Sequence, residues 1–245
     1  FPRMIFAPGA IVEAIEIARD AFDLADSLQC PILILTDQYF ADSIQTVEEE
    51  IPQSVSQRTC RPYDETYRRY ALNKGGLSPL TYPGIGKALV RLDSDEHGED
   101  GRITEDLDLR ARMVDKRMQK VKYMTSLSRK PTFCGNPEAE WMLLSWGSNR
   151  QIVEEAIRHL NEAGIAVAAL HFSQVYPLSP EMVAPWMLDR RKLVCLENNA
   201  GGQFAGLLKR ELGLDIRYPL LKYNGECFTV EEIHERMLAI MEVKP

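Results

Sequence analysis

The apolar positions of this chain change period several times, and each change marks an element. Residues 3–7, Arg-Met-Ile-Phe-Ala, are a short apolar run broken by Pro8-Gly9, which predicts a strand and a turn. Over residues 10–28, Ile11, Ala14, Ile15, Ala18, Phe22 and Ala25 recur at helical spacing and predict one apolar helix face. Pro31 closes that segment, and Ile32–Thr36 is a second, continuously apolar strand. Strand, helix and strand at this spacing make a βαβ unit with parallel strands. Continuous rather than alternating apolar strands suit a sheet covered on both faces. Such a sheet needs further strands, expected upstream of Phe1 or on another chain.

Residues 45–103 lose the periodicity. They are polar and carry Pro52, Pro62, Pro79 and Pro83 with Gly75, Gly76, Gly84 and Gly86, the pattern of a long strap with little regular structure. Residues 105–125 return to a helical pattern rich in alternating charge, with Met113, Val114, Met118 and Val121 as a narrow apolar seam, and 126–137 read as a linker. A regular alternation then begins. Trp141–Ser145 predicts a strand, Ser148 an N-cap, 149–163 an amphipathic helix stopped by Gly164, and Ile165–Leu170 the next strand. Ser179-Pro180-Glu181 starts a helix, Lys192–Leu196 is a strand, and 200–212 is a helix stopped at Gly213. A strand around 215–221 follows, and Thr229 with Glu232 has capping-box spacing for a last helix to about Met241. The fold class expected is α/β: the end of a parallel-sheet domain over 1–55, a strap and linker helix over 56–137, and a compact doubly wound α/β domain over 138–245.

Composition narrows the function classes. The 245 residues carry a formal net charge of −7, which argues against a broad basic face for nucleic acid. No apolar run approaches the roughly 18 residues of a membrane span, and the start shows no signal-peptide pattern. A chain that opens on Phe1 in the lead-in to a strand is expected to be a fragment or a processed chain. Cys30, Cys60, Cys134, Cys195 and Cys227 are scattered with no CxxC, so iron–sulfur, zinc and Cys-pair redox sites are not expected on this chain; isolated thiols in a reducing cytoplasm are.

Motifs then point to a family. Ala7-Pro8-Gly9, the following helix and Leu35-Thr36-Asp37-Gln38-Tyr39 resemble the end of the pyrimidine-binding domain in alpha subunits of 2-oxoacid:ferredoxin oxidoreductases. Tyr70-Ala71-Leu72, Gly76-Leu77-Ser78-Pro79 and Tyr82-Pro83-Gly84 are similar to that family's connecting strap. The run Asp95-Glu96-His97-Gly98-Glu99-Asp100-Gly101-Arg102-Ile103-Thr104-Glu105-Asp106 is similar to its DEH-x-x-x-G-x-x-TED segment, and Met113-Val114-Asp115-Lys116-Arg117 to the helix after it. Ser145-Trp146-Gly147-Ser148 and Glu197-Asn198-Asn199 through Gly202-Gln203 match in the second domain, which the resemblance makes transketolase C-terminal-like. The likeness runs through nearly the whole chain in order and is nearest to 2-oxoglutarate-type members.

The resemblance implies oxidative decarboxylation of a 2-oxoacid with thiamine diphosphate, the acyl group passing to coenzyme A and electrons to ferredoxin through iron–sulfur clusters. Such chemistry belongs mainly to the cofactor. The glutamate that contacts the aminopyrimidine lies in the family upstream of anything present here, and the diphosphate and Mg²⁺ are held by the beta subunit. The implied complex therefore has a beta subunit and gamma and delta subunits or domains. No catalytic residue is assigned to this chain, none of these cofactors is expected to be bound by it alone, and a cytoplasmic location is expected.

Some contact residues remain candidates. Where the family often has Gly-Ile-Ser-Pro-Arg, this chain has Leu80 in place of the Arg that would pair with a substrate carboxylate. Ser78 and Thr81 are candidate donors to substrate, against the plainer reading that they shape a turn. His97 and Arg102, with Glu96, Glu99 and Asp100, form a polar cluster that reads either as a substrate or interface site or as a solvated loop in which Thr104 caps the next helix. Its carboxylates and His could also hold a metal, though the spacing fits no known loop. Gly201-Gly202 could cradle a phosphate, and Glu197, Asn198 and Gln203 sit where α/β sheets bind ligands; against this, the resemblance implies a domain that mainly supports assembly. His159, His171 and His234 stand alone in sequence. Two functions compete: a subunit of a redox enzyme complex, and a non-catalytic assembly module. Another transketolase-like thiamine enzyme without ferredoxin is a third, weakened by the His97 segment.

Overall fold

The structure, a computed structural model, describes residues 1–48 and 61–242. Cys60, Pro52 and the expected boundary at 55/56 lie outside the described residues. In chain order the elements are β1 (Met4–Phe6), α1 (Ile11–Leu28), β2 (Ile32–Ile34), α2 (Gln38–Asp42), α3 (Leu107–Ser126), β3 (Thr132–Gly135), β4 (Trp141–Trp146) and α4 (Arg150–Glu162). After them come β5 (Val167–Phe172), β6 (Gln174–Tyr176), α5 (Pro180–Val183), β7 (Lys192–Glu197), α6 (Gln203–Leu212), β8 (Tyr218–Leu221) and α7 (Val230–Met241).

By contact density the chain forms two compact units. One holds Phe1–Arg3, Phe22–Pro31 and, among the described residues, 61–126; the other holds Met4–Ala21, 32–48 and 127–242.

The second unit carries both sheets. β1 and β2 pair in parallel with Met4 opposite Ile32, as the βαβ pattern requires. The strand that extends this sheet comes from downstream: β6 runs antiparallel to β1, giving the order β2-β1-β6. Coverage on both faces does not extend to β2, whose Leu33 and Ile34 remain partly exposed. The larger sheet has the order β3-β5-β4-β7-β8. Its β5, β4, β7 and β8 are parallel, while β3 joins antiparallel to β5. So the expected linker at 126–137 contains an edge strand, four residues too short to show a period.

Successive residues of each strand feed opposite faces of this sheet. Met142, Leu144, Leu170, Phe172 and Cys195 pack with Phe204 and Leu208 of α6 on one face. Leu143, Ala169, Val194 and Leu196 pack with Ile157 and Leu160 of α4 and Ile233 and Met237 of α7 on the other. Helices on both faces of a parallel sheet define the doubly wound α/β class expected from the strand–helix alternation.

Local signals held at α6, which ends at Gly213 in the left-handed region, and at α7, where Thr229 and Glu232 form the reciprocal capping box. Three helix expectations need correction. The buried side of α1 is Ile17, Ala21 and Leu28, while Phe22 is 77% exposed and Ala18 also faces outward. The buried seam of α3 is Met113, Lys116, Lys120 and Met124; of the expected seam Met113 is buried, while Val114 and Met118 are exposed. Ser148 does not cap α4: the N-cap is Asn149, with no side-chain cap bond, and Ser148 Oγ donates instead to Asp37. Among the described residues no helix is long and apolar enough to cross a membrane.

Candidate functional site

In the first unit the strap has no helix and no strand between 61 and 106, as its composition predicts; only two isolated bridges, Tyr63 with Gly86 and His97 with Ile103, interrupt it. It is ordered by specific polar anchors instead. Glu96 takes a two-pronged ion pair from Arg117 of α3, with Nη1 to Oε1 at 2.9 Å and Nη2 to Oε2 at 2.7 Å. That matched geometry holds the Glu96 carboxyl below its ordinary range and the Arg117 guanidinium above its own. Gly98 N–H donates to the Arg102 carbonyl and Thr104 N–H to the Glu96 carbonyl, so 96–104 closes into a tight double-backed loop. Gly101, at φ +82°, supplies a turn that an L side chain resists.

His97 sits on this loop with its ring stacked on Tyr70, centroids 3.6 Å apart. Its Nδ1 is buried without a hydrogen-bond partner, and burial pushes its pKa below the ordinary value against the opposing pull of Glu96. Tyr70 is a hub: its N–H donates to the Glu99 carbonyl at 3.0 Å, its carbonyl accepts from Lys116 Nζ at 2.7 Å, and the Arg69 guanidinium lies 5.1 Å from its ring centroid. Glu99 carries a second anchor, its carboxylate accepting from Leu72 N–H at 2.8 Å. The loop is therefore fastened on two sides, unlike a freely solvated loop.

Lys116 and Lys120 explain the unexpected seam of α3. Each buries its stem and sends Nζ to a backbone carbonyl, of Tyr70 and of Gln29 respectively, at 2.7 Å. Burial, together with repulsion from Lys120 and Arg69, lowers the Lys116 ammonium to about 8, and burial with repulsion from Arg69 lowers Lys120 as well.

Ser78 and Thr81 lie deep in the strap, 7% and 1% exposed. Ser78 Oγ donates to the Ala71 carbonyl at 3.2 Å and Thr81 Oγ1 to the Arg61 carbonyl at 3.0 Å. Gln29 adds a clasp, its Nε2 donating to the Ser78 carbonyl at 2.6 Å. Both hydroxyls are committed to the strap itself, the geometry of the turn-shaping reading. Arg102 is the opposite case. Its side chain is 72% exposed and pairs with Asp100 at 3.4 Å. Thr104 is not the cap of α3. Its Oγ1 accepts from Asp106 N–H, and Asp106 Oδ1 accepts from Asp108 and Leu109, the cap geometry proper.

In the second unit Glu197 is fully buried at the end of β7. One carboxylate oxygen accepts from Phe204 N–H at 2.8 Å and Asn199 Nδ2 at 2.7 Å, the other from Ala205 N–H at 2.9 Å. The N-terminus of α6 thus already holds an anion, the chain's own. Phosphate cradling by Gly201-Gly202 is excluded for that reason, and Glu197 is a cap rather than a ligand-facing acid. Sequence reasoning missed this because the cap lies six residues before the helix. Asn198 remains exposed, and Asn199 Oδ1 braces the turn through Gly201 N–H.

His171 is not alone. Its Nδ1 bonds Ser145 Oγ at 2.9 Å, its Nε2 is buried without a partner, and burial followed by the nearby Arg150 charge lowers its pKa to about 3. A Cβ on Gly9 would come within 2.6 Å of that Nε2 and 2.5 Å of Arg150 Cβ, which accounts for the glycine in Ala7-Pro8-Gly9. His159 is half exposed beside Glu155 at 3.9 Å.

With that geometry in place the class is an α/β chain of two parallel-sheet portions and a polar strap. Residues 1–116 match the family described as pyruvate flavodoxin/ferredoxin oxidoreductase, thiamine diP-bdg. The chain is similar to the alpha subunit of 2-oxoacid:ferredoxin oxidoreductase 1 of Sulfurisphaera tokodaii, 28% identical over 99% of this chain and 39% of the relative. It is also similar to the alpha subunit of 2-oxoacid:ferredoxin oxidoreductase 2 of Aeropyrum pernix, 29% identical over 98% of this chain and 38% of the relative. Among solved structures, the 2-oxoglutarate:ferredoxin oxidoreductase of Magnetococcus marinus, with 2-oxoglutarate, coenzyme A and succinyl-CoA bound, superposes with a TM-score of 0.86 at 25% identity, covering 99% of this chain and 42% of that one. The chain therefore spans well under half the length of these relatives.

Among the described residues no group of three or more His, Cys, Asp or Glu gathers to hold a metal ion. Cys30, Cys134, Cys195 and Cys227 are free thiols.

Proposed function

We propose that this chain is the alpha-subunit portion of a 2-oxoacid:ferredoxin oxidoreductase, acting in oxidative decarboxylation of a 2-oxoacid to an acyl-CoA with electrons passed to ferredoxin. The observation that carries the reading is the superposition at a TM-score of 0.86 over 99% of the chain, strap included, on a structure of that activity. Thiamine diphosphate, Mg²⁺ and iron–sulfur clusters belong to the complete complex, with a beta subunit and gamma and delta subunits or domains in a cytoplasmic assembly.

Within that reading 2-oxoglutarate is the substrate, supported by the ligand of the similar structure. Its distal carboxylate needs a cation, and position 80 is Leu. Arg102, whose side chain is 72% exposed and pairs through Nε with Asp100, supplies a guanidinium whose terminal nitrogens can meet a carboxylate. His97, stacked on Tyr70 in the same loop, shapes the approach. Ser78 and Thr81 contribute by holding the strap. The domain limits that go with this reading are 1–55, 56–137 and 138–245.

The alternative is a non-catalytic assembly module of such a complex, favoured by the commitment of Ser78, Thr81 and Glu197 to the chain's own backbone. Anaerobic, coenzyme A-dependent viologen reduction by the native complex decides, assayed with 2-oxoglutarate, pyruvate and branched 2-oxoacids. The reading expects 2-oxoglutarate to give the highest kcat/KM. A preference for pyruvate would overturn the substrate assignment, and inactivity with all of them would leave the assembly module.

A further inference from the structure

The loop that carries Arg102 is a small hairpin held by its own backbone. Thr104 N–H donates to the Glu96 carbonyl at 2.9 Å, His97 and Ile103 form an antiparallel bridge, and Gly98 N–H donates to the Arg102 carbonyl at 2.8 Å. Gly101 N–H closes the turn on the Gly98 carbonyl at 3.0 Å. Both backbone groups of Arg102 are committed in this frame, since its N–H donates to Asp100 Oδ1 at 3.1 Å. The hairpin therefore fixes where the Arg102 side chain begins, and whatever fixes the hairpin fixes where that guanidinium is offered.

Two successive residues of α3 hold this hairpin at two points. Lys116 Nζ donates to the Tyr70 carbonyl, and Tyr70 in turn stacks on His97 and donates its N–H to the Glu99 carbonyl. Arg117 acts at the base of the hairpin, donating from Nη1 and Nη2 to the two carboxylate oxygens of Glu96 at 2.9 and 2.7 Å. The second hold is the stronger. It is a pair of matched, charge-assisted bonds, and the Glu96 side chain is only 11% exposed, so solvent screens the pair far less than an open surface bridge. Glu96 also carries the backbone rung to Thr104, two residues from Arg102. The ion pair and the hairpin thus share one residue.

We infer that Arg117 is a positioning residue for Arg102: its fork on Glu96 sets the base of the 96–104 hairpin and so holds the Arg102 guanidinium where it meets the distal carboxylate of the oxoacid. The inference rests on the substrate reading given above for Arg102. Arg117 acts through Glu96 and not on the substrate. Without the fork Arg102 keeps its chemistry, but the hairpin is released at its base, and ordering it becomes part of the cost of binding. The loss therefore falls on substrate binding and not on the chemical step.

A double-mutant cycle on the native complex tests it, read as KM and kcat of anaerobic, coenzyme A-dependent viologen reduction with 2-oxoglutarate. Arg102→Ala is the reference variant. Arg117→Ala should raise KM by about threefold or more with kcat within about twofold of the parent, and should add nothing to KM once Arg102 is replaced by Ala. A merely structural role would give another pattern, with kcat and the yield of assembled complex falling and the loss adding in full to that of Arg102→Ala. Where Arg117→Ala impairs assembly, Glu96→Gln keeps the side-chain shape, drops the charge and should show the same split. An unchanged KM in Arg102→Ala would overturn the reading of Arg102 and this role with it. A raised KM in Arg102→Ala beside an unchanged KM in assembled Arg117→Ala or Glu96→Gln, or full additivity in the cycle, would overturn the positioning role alone.

Discussion

At the scale of single residues, charge placement decides most of what this chain can do. Arg102 is the exposed guanidinium of the His97 loop, and its proposed partner is a substrate carboxylate. Arg102→Ala in the assembled complex should raise KM for 2-oxoglutarate by about tenfold or more with little change in kcat, the mark of lost ground-state binding. Steady-state kinetics of viologen reduction check this, and an unchanged KM would remove Arg102 from the site. His171 gives a pH prediction. Its folded-state pKa, about 3, lies below the ordinary 6.5, so between these values the unfolded chain binds more protons than the folded one. Stability must therefore fall as pH drops from about 6.5 toward about 3. His171→Leu should flatten that slope, read as urea midpoints at pH 7 and pH 5, whereas an unchanged slope would assign it to other groups. Gly9→Ala should destabilise by about 1–3 kcal/mol, because its methyl meets Arg150 Cβ and His171 Nε2 inside contact distance. Thermal melting measures that loss.

At the scale of elements, the helices are held by caps of quite different legibility. The Thr229/Glu232 box of α7 could be read from sequence because both partners lie within one turn. The Glu197 cap of α6 could not, since it reaches across the Asn198–Gly202 turn and only the fold brings it there. Glu197→Ala should cost about 2–4 kcal/mol, as it leaves buried N–H groups of α6 unpaired, and amide exchange at Phe204 and Ala205 should accelerate most. Uniform acceleration across the sheet would show that the loss is not local to the cap. The same contrast explains the misread helix faces. Periodicity locates a helix, but Ala18, Phe22 and Met118 fit an apolar stripe as well as the buried residues do. Lys116 and Lys120 were invisible as core because a lysine is buried only when a carbonyl awaits its ammonium, here those of Tyr70 and Gln29. Likewise the Glu96–Arg117 pair spans 21 residues and joins a loop to a helix that sequence could not dock together.

At the scale of the whole molecule, the strand–helix alternation from Trp141 onward was sufficient to give the doubly wound class, because the strands of the larger sheet and the helices α4, α6 and α7 carry their own periods and start or stop signals. The first sheet was not, since its third strand, β6, arrives from residue 174 onward. Function sits at a further remove. The motif order suggested the family, residues 1–116 match it, and the fold superposes on a structure of that activity over 99% of the chain. The proposed site is a strap locked by Glu96–Arg117, Tyr70–His97 and Lys116, with Arg102 exposed at its loop. The most direct test of the central claim is anaerobic, coenzyme A-dependent viologen reduction with 2-oxoglutarate in a complex assembled with and without this chain. The account predicts activity only when the chain is present. Full activity in its absence, from an intact assembly of the remaining subunits, would contradict it.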